Sequence, residues 1–146
     1  MHIEINPIIA AEGLLSLARG AYRQYVPLMG KEPAPMVADY QTHIDHDTII
    51  TMHDGTALIA FAVIIEKQDG VWLETVAVAD GYRGQGIGTK LMTHVEAYIA
   101  KIASSYQLYT NEVMTKNKDW YLRLGFTITE TKIDEGYRRI FFRKEL

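Results

Sequence analysis

The sequence contains no cysteine, which excludes a disulfide framework and thiol chemistry. Its longest apolar run, residues 57–65, has the length of a buried strand and falls short of a membrane span. Residues 1–5 lack the basic and apolar regions of a secretory signal. The formal net charge is −3, and no basic stripe of the kind that binds nucleic acid is present. We therefore expect a cytoplasmic protein that binds neither nucleic acid nor membrane.

The composition is that of an ordinary globular domain. Of the 146 residues, 48% are hydrophobic and 23% are charged, which allows both a core and a solvated surface. No linker or internal repeat interrupts the chain, and we predict one domain over residues 1–146. The nearest thing to a basic cluster alternates with apolar residues and indicates the solvent face of a strand: Arg138, Arg139, Arg143 and Lys144. An anionic ligand must therefore be bound by local geometry.

Apolar periodicity and turn residues predict an α/β chain in which helices and strands are mixed. Helical spacing indicates helices over residues 9–21, 36–44, 87–102 and 118–124, with a proline-rich loop over 25–35. Alternating or β-branched runs indicate strands over residues 2–5, 47–53, 56–66, 71–79, 106–110, 126–131 and 137–144. The strand over 71–79 is largely apolar, as expected of a central strand covered on both faces. The count is about seven strands and about four helices.

The most informative segment is the glycine-rich turn that joins the strand over 71–79 to the long helix. Gly84, Gly86 and Gly88 let successive backbone N–H groups converge without Cβ atoms in the way. The first turn of a helix adds unpartnered N–H groups and a partial positive charge. Arg83 at the rim supplies a further donor. Together these features predict a concave site for a phosphate or pyrophosphate.

Three kinds of phosphate loop compete for this pattern. A P-loop requires a lysine directly after its last glycine, whereas Ile87 follows Gly86 and Lys90 is displaced from Gly88. A dinucleotide fingerprint requires Gly-x-Gly-x-x-Gly, whereas the spacing here is Gly-x-Gly-x-Gly. The pattern that remains is Arg-x-x-Gly-x-Gly, matched by Arg83, Gly86 and Gly88.

Two segments carry a resemblance to a known family. Residues 76–92, VAVADGYRGQGIGTKLM, are similar to the acetyl-CoA-binding motif of the GNAT superfamily of N-acetyltransferases. Residues 114–126, MTKNKDWYLRLGF, are similar to the downstream motif of that superfamily, which ends in Tyr-x-x-x-Gly-Phe. The resemblance implies a GNAT-like domain with a central, mostly antiparallel twisted sheet. It also implies acetyl-CoA as cosubstrate and a chemistry that needs no metal.

The resemblance further implies roles for individual residues. Backbone groups of Val76, Ala77 and Val78 would contact the pantetheine arm. The pyrophosphate would be held by the amides of Arg83, Gly84, Gln85, Gly86, Ile87, Gly88 and Thr89. Tyr121 would protonate the departing thiolate, although a tyrosine that only packs at a helix contact is the alternative. Asn117 lies one helical turn earlier, where it could bind the cofactor or cap the helix. Met114 stands where the commonest family form has an asparagine.

Attack on a thioester requires a neutral amine, and a primary amine is largely protonated near neutral pH. Glu74, two residues before Val76, is the first candidate for the general base; an ordinary strand glutamate is the alternative. Glu112 is the reserve candidate, and a chain of water molecules could also serve. A backbone N–H of residues 76–78 would meet the tetrahedral oxyanion.

The predicted function is acetyl transfer from acetyl-CoA to a primary amine of a small molecule or a protein, by direct attack in a ternary complex. The alternative is a non-catalytic module that binds or senses acyl-CoA. Residues 22–40, rich in aromatics, methionine and proline, could line an acceptor pocket or simply pack. His43, His46, Asp45 and Asp47 are assigned to a solvated loop in preference to a metal site. The C-terminal hairpin and the Trp120 region could support a homodimer.

Overall fold

The computed structural model describes residues 1–146, and the elements follow one another as helices and strands in mixed order. The strands are β1 (His2–Ile5), β2 (Thr48–Asp54), β3 (Ala57–Lys67), β4 (Gly70–Val78), β5 (Ser105–Asn111), β6 (Thr127–Asp134) and β7 (Tyr137–Glu145). The helices are α1 (Ala11–Tyr22), α2 (Val26–Met29), α3 (Tyr40–His46), α4 (Ile87–Ile99) and α5 (Thr115–Arg123). Short 3₁₀ turns occupy Arg23–Tyr25, Ala34–Met36 and Asp80–Tyr82.

The strands form one seven-stranded sheet in the order β1-β2-β3-β4-β5-β7-β6. Every neighbouring pair is antiparallel except β4 and β5, which are parallel. The predicted mostly antiparallel sheet is therefore confirmed. The hairpins turn between the predicted strands, at Gly55 with φ 61° and at Glu135 and Gly136 with φ 52° and 80°.

Helices cover both faces of the sheet. On one face α4 inserts its predicted apolar stripe, Ile87, Leu91, Val95 and Ile99, into a core of 19 buried residues. On the other face α1 and α3 bury a smaller cluster of eight residues around Leu14, Tyr40 and Phe61. The sheet is thus a central layer between two helical layers, which bury β2 and β3 on both faces, whereas the edge strands β1 and β6 are largely exposed.

A β-bulge interrupts β4 at Glu74. Leu73 pairs with Ile64 and Thr75 pairs with Val63 on β3, so Glu74 is an extra residue with no partner. A bulge bends its strand and increases the local twist. On its other side β4 pairs with β5 only once, Trp72 with Gln107, and beyond that point the two parallel strands separate. The separation opens a gap in the middle of the sheet.

Four predictions on secondary structure were wrong in part. The proline-rich loop over 25–35 contains the single-turn helix α2, whose Pro27 fits a first turn because no N–H partner is needed there. The helix expected over 36–44 begins later, at Tyr40, where the Asp39 carboxylate caps the Thr42 amide. The helix over 87–102 ends at Ile99, and Ile102 is exposed. The helix over 118–124 begins earlier, at Thr115.

No helix of the chain has both the length and the apolar character needed to cross a membrane. His43 and His46 lie in the last turn of α3 and not in a loop, which corrects the sequence assignment. The His43 imidazole contacts the Asp47 carboxylate at 2.8 Å, and both side chains are largely buried.

Candidate active site

The glycine-rich turn leaves its backbone donors free. Gly84 and Gly86 adopt left-handed conformations with φ 73° and 77°, which a side chain would disfavour. None of the amides of residues 84–89 donates a loop or cap hydrogen bond, and the first helical donor is Lys90, onto the Gly86 carbonyl. Because these N–H groups lack acceptors and the turn borders a cleft at the start of α4, the turn offers hydrogen-bond donors to an anion.

A cleft of about 570 Å³ runs from this turn along α5 and β4. Its walls include Tyr22, Tyr25, Val76, Ala77, Val78, Arg83, Gly84, Gly86, Ile87, Gly88, Thr89, Asn117, Trp120 and Tyr121. Ten of the eleven residues predicted to bind the cofactor line it. Gln85 does not: its side chain turns back to donate to the Gly81 carbonyl at 3.3 Å. The Trp120 ring packs over Gly88, where an added Cβ would lie 3.2 Å from Cζ2.

Arg83 differs from the free donor that its sequence position predicts. Its guanidinium donates to the Ala21 carbonyl at the end of α1 and contacts the Asp80 carboxylate at 3.1 Å. The side chain therefore ties the turn to α1 while one side of it borders the cleft.

A second cavity lies between the separated strands β4 and β5 and residues 29–38. Met29, Pro33, Ala34, Pro35 and Ala38 form one wall, which is the tract that the sequence singled out as a pocket lining. Two contacts join this wall to the β6–β7 hairpin. The Lys31 ammonium donates to the Gly136 carbonyl, and the Tyr137 hydroxyl donates to the Glu32 carbonyl at 3.0 Å.

The cleft and the second cavity meet at four shared residues: Tyr22, Val76, Asn117 and Tyr121. The Tyr22 hydroxyl donates to the Val76 carbonyl at 2.7 Å, so this backbone acceptor on β4 already has a partner. Asn117 is not the helix cap, because α5 begins at Thr115 with Met114 as its N-cap residue. The Asn117 amide instead contacts the Met114 sulfur at 3.6 Å.

Tyr121 is held by its ring and not by its hydroxyl. The ring packs against Trp120, Phe126 and Phe142, with centroids 5.0, 5.5 and 5.7 Å away. The hydroxyl has no hydrogen-bond partner within the protein, and the residue lines both cavities. Burial, followed by the neighbouring Tyr22 and Tyr25, raises the pKa of the Tyr121 phenol well above its ordinary value. Tyr121 is therefore a neutral O–H donor over the physiological pH range.

Glu74, the bulge residue, lines the second cavity and has one carboxylate oxygen without a hydrogen-bond partner. Its Oε1 accepts a hydrogen bond from the Tyr109 hydroxyl at 2.9 Å. Its Oε2 is buried and has no partner. Buried polar atoms are nearly always hydrogen-bonded, so an exception at a cavity wall marks a place for a ligand group. Glu112, the reserve candidate, lies outside both cavities, paired with Arg138 at 2.9 Å.

Arg139 is a site residue that sequence reasoning assigned wrongly to a solvent face. It is only 3% exposed, because both faces of β7 are covered. Its guanidinium donates to the Asp134 carboxylate at 2.8 Å and lies 4.0 Å above the Tyr109 ring, whose hydroxyl binds Glu74. Burial lowers the pKa of Arg139, but Tyr109 and Asp134 outweigh it and the net pKa is raised. The signal in the sequence was the run Ile140, Phe141 and Phe142, which is apolar on both faces.

Comparisons with known proteins agree with this geometry. A family model described as an acetyltransferase (GNAT) domain matches residues 45–128. No curated protein matches the sequence significantly. Among solved structures, a PaiA N-acetyltransferase from Thermoplasma acidophilum in complex with coenzyme A is similar over 100% of both chains, with a TM-score of 0.80 and 17% identity.

Two further solved structures share the fold. The ribosomal-protein-S18-alanine N-acetyltransferase from Escherichia coli has a TM-score of 0.75 and 14% identity over 99% of this chain and 94% of its own. An aminoglycoside 6'-N-acetyltransferase complexed with coenzyme A has a TM-score of 0.75 and 17% identity over 99% of this chain and 97% of its own. At these identities the likeness is one of fold.

Proposed function

The chain belongs to the GNAT acetyltransferase family, and from this premise we propose that residues 1–146 form one N-acetyltransferase domain. The domain moves the acetyl group of acetyl-CoA to a primary amine by direct attack in a ternary complex. The observation that carries the proposal is the meeting of the two cavities at Tyr22, Val76, Asn117 and Tyr121. A donor in one cavity and an acceptor in the other would have their reacting atoms at that junction.

The cleft suits acetyl-CoA at both ends. The free amides of residues 84–89 bind the pyrophosphate, and the helix dipole of α4 favours its charge. Backbone groups of Val76, Ala77 and Val78 run along the pantetheine arm. There the Val76 carbonyl accepts a hydrogen bond from the pantetheine either alongside the Tyr22 hydroxyl or in its place. Asn117 lines the same stretch of the cleft. That solved structures of the same fold contain coenzyme A supports this assignment.

Glu74 and Tyr121 divide the proton transfers between them. The acceptor enters as an ammonium ion, and the unpartnered Oε2 of Glu74 takes its proton, leaving a neutral nitrogen lone pair. The nitrogen forms a bond to the thioester carbonyl carbon, and a backbone N–H of residues 76–78 stabilises the oxyanion. The carbon–sulfur bond then breaks, and the Tyr121 hydroxyl gives its proton to the departing thiolate. The acylated nitrogen loses its second proton, which returns to Tyr121 through solvent, and Glu74 releases the first proton to solvent. The products are therefore the amide, the free CoA thiol, one released proton and the regenerated enzyme.

Membership of the family indicates an amine acceptor but does not identify which amine. The structurally similar enzymes named above act on an alanine of a ribosomal protein and on an aminoglycoside. We infer that the acceptor here is a small-molecule or protein amine that enters past residues 29–38. A homodimer through the C-terminal hairpin and the Trp120 region stays a prediction.

The test is release of free CoA from acetyl-CoA in the presence of a panel of primary amines. The panel contains alkyl amines, polyamines, amino acids, aminoglycosides and peptides with a free N-terminus or lysine. We expect amine-dependent release whose kcat/KM falls about 100-fold in Glu74→Gln while acetyl-CoA binding persists. Acetyl-CoA binding without transfer to any amine would favour the non-catalytic module instead.

A further inference from the structure

We propose that His2 and Glu4 of β1 and His53 of β2 form a zinc-binding site at the edge of the sheet. Their potential ligand atoms all lie within 4.8 Å of one another. None of the three residues lines the cleft or the second cavity, so this site is separate from acetyl transfer. It does not enter the transfer chemistry, for which the family resemblance implies no metal.

The strand register brings the three side chains to one face. His2 pairs directly with His53 across the antiparallel β1–β2 ladder, and Glu4 lies two residues further along β1. Side chains of residues two apart on a strand point to the same face, and directly paired side chains are nearest neighbours. The two imidazole rings stack with centroids 4.9 Å apart and planes 12° from parallel.

The ring nitrogens and the carboxylate face one another at distances that leave room for an ion. His2 Nε2 lies 3.9 Å from one Glu4 oxygen, and His53 Nε2 lies 3.5 Å from the other. Both distances exceed the usual range of an N–H···O hydrogen bond. A tetrahedral zinc ion with bonds of 2.0–2.2 Å holds neighbouring ligand atoms about 3.4 Å apart, so a small contraction completes the site.

The donor set fits zinc. Two neutral imidazoles and one carboxylate are ligands that zinc prefers, and a fourth position remains for water. The His2 and Glu4 side chains are 53% and 48% exposed, so the ion can enter and both groups can rotate. The His53 side chain is 14% exposed and is anchored by the Thr51 hydroxyl, 2.8 Å from Nε2. Zinc must displace that hydroxyl, which sets a modest affinity.

Bound zinc would cross-link β1 to β2. β1 is a four-residue strand at the edge of the sheet, and β2 is its only neighbour. A ligand that binds only the folded protein raises its thermal midpoint by mass action. The site would therefore act as a clasp on the first strand.

The test is titration of the tag-free full-length protein with zinc chloride at pH 7.5, followed by calorimetry and by the thermal midpoint. We expect one zinc per chain, a micromolar dissociation constant, and a midpoint rise of about 4 °C that EDTA reverses. His2→Ala and Glu4→Gln, which alter exposed side chains, should each weaken binding at least about tenfold. His94→Ala removes an exposed histidine on α4 and is the matched control, which should bind like the wild type.

Absence of stoichiometric binding by the wild-type protein would overturn the proposal. So would equal affinity in the wild type and in His2→Ala and Glu4→Gln, since the zinc would then lie elsewhere. A substitution that destabilises the apoprotein is separated from lost binding by comparing each variant's midpoint with and without zinc. Acetyl-CoA binding, measured in parallel, should be the same in all the variants, because the clasp and the cleft share no residue.

Discussion

Replacement of Tyr121 by phenylalanine separates a catalytic role from a packing role. The ring contacts with Trp120, Phe126 and Phe142 persist in the variant. The hydroxyl that is lost has no hydrogen-bond partner in the protein, so no buried polar group is orphaned. We therefore expect the free energy of unfolding to change by less than about 0.5 kcal/mol. Affinity for acetyl-CoA should also change little.

The turnover number of Tyr121→Phe should fall far more than its stability or its affinity for acetyl-CoA. A positioned general acid contributes roughly 10²–10⁴-fold to a rate, so the barrier should rise by at least about 2.7 kcal/mol. The burial that raises the Tyr121 pKa keeps the phenol protonated, and no other tyrosine hydroxyl without a partner lies at the junction. The assay is free-thiol release at saturating acetyl-CoA, with affinity measured separately by calorimetry.

The matched control is Tyr98→Phe on α4. The Tyr98 hydroxyl lies 3.0 Å from the Thr48 hydroxyl and outside both cavities. This variant should lose about 1 kcal/mol of stability and keep its turnover number, the reverse of the Tyr121 variant. A turnover number for Tyr121→Phe within twofold of the wild type would remove the residue from the mechanism.

Four further predictions concern the rest of the site. Glu74→Gln should lower kcat/KM about 100-fold with wild-type acetyl-CoA affinity, and an unchanged rate constant for amine transfer would exclude the carboxylate as base. Gly86→Asp should weaken acetyl-CoA binding at least about tenfold by calorimetry, while Gly13→Asp, at an exposed helix position, should not; equal affinities would contradict the assigned anion site. Arg139→Gln should cost about 2 kcal/mol in urea unfolding, less than a fully buried pair because Asp134 is 39% exposed, and an unchanged midpoint would refute its anchoring role. Alkali should unfold the protein cooperatively, seen as tyrosinate absorbance appearing together with loss of circular dichroism. Burial strongly raises the pKa of five tyrosines above the ordinary 10.0, namely Tyr22, Tyr40, Tyr106, Tyr109 and Tyr121. Above pH 10 the unfolded chain therefore releases protons that the folded protein keeps, so the stabilisation from these tyrosines is complete below pH 10 and is lost above it. Gradual ionisation without unfolding would contradict this prediction.

Local signals in the sequence predicted the parts of the fold that local physics determines. The apolar stripe from Ile87 to Ile99 was sufficient to predict α4, and the glycines of the turn were sufficient to predict the free amides before it. The hairpin at Gly136 follows in the same way from the two strands predicted on either side of it. These features depend on backbone conformation and on one helix face, which a short window of sequence contains.

Contacts between segments that are distant in the sequence could not be predicted from such a short window. Arg139 was assigned to solvent because nothing near it in the sequence reveals that Tyr109 and Asp134 enclose it. The ties from Lys31 and Tyr137 join segments more than a hundred residues apart. The bulge did leave a trace, because the apolar positions change from odd at Val71 and Leu73 to even at Val76 and Val78.

The bulge at Glu74 is a single inserted residue, so deleting one residue would convert β4 into a regular strand. Losing the single codon for Glu74 would leave Leu73 opposite Ile64 and Thr75 opposite Val63, so every core contact on β3 could survive. The same deletion would straighten β4 and allow it to pair with β5 over more residues. It would also remove the carboxylate whose Oε2 has no partner. The residue that the core packing does not require is thus the one that the proposed mechanism uses as the general base.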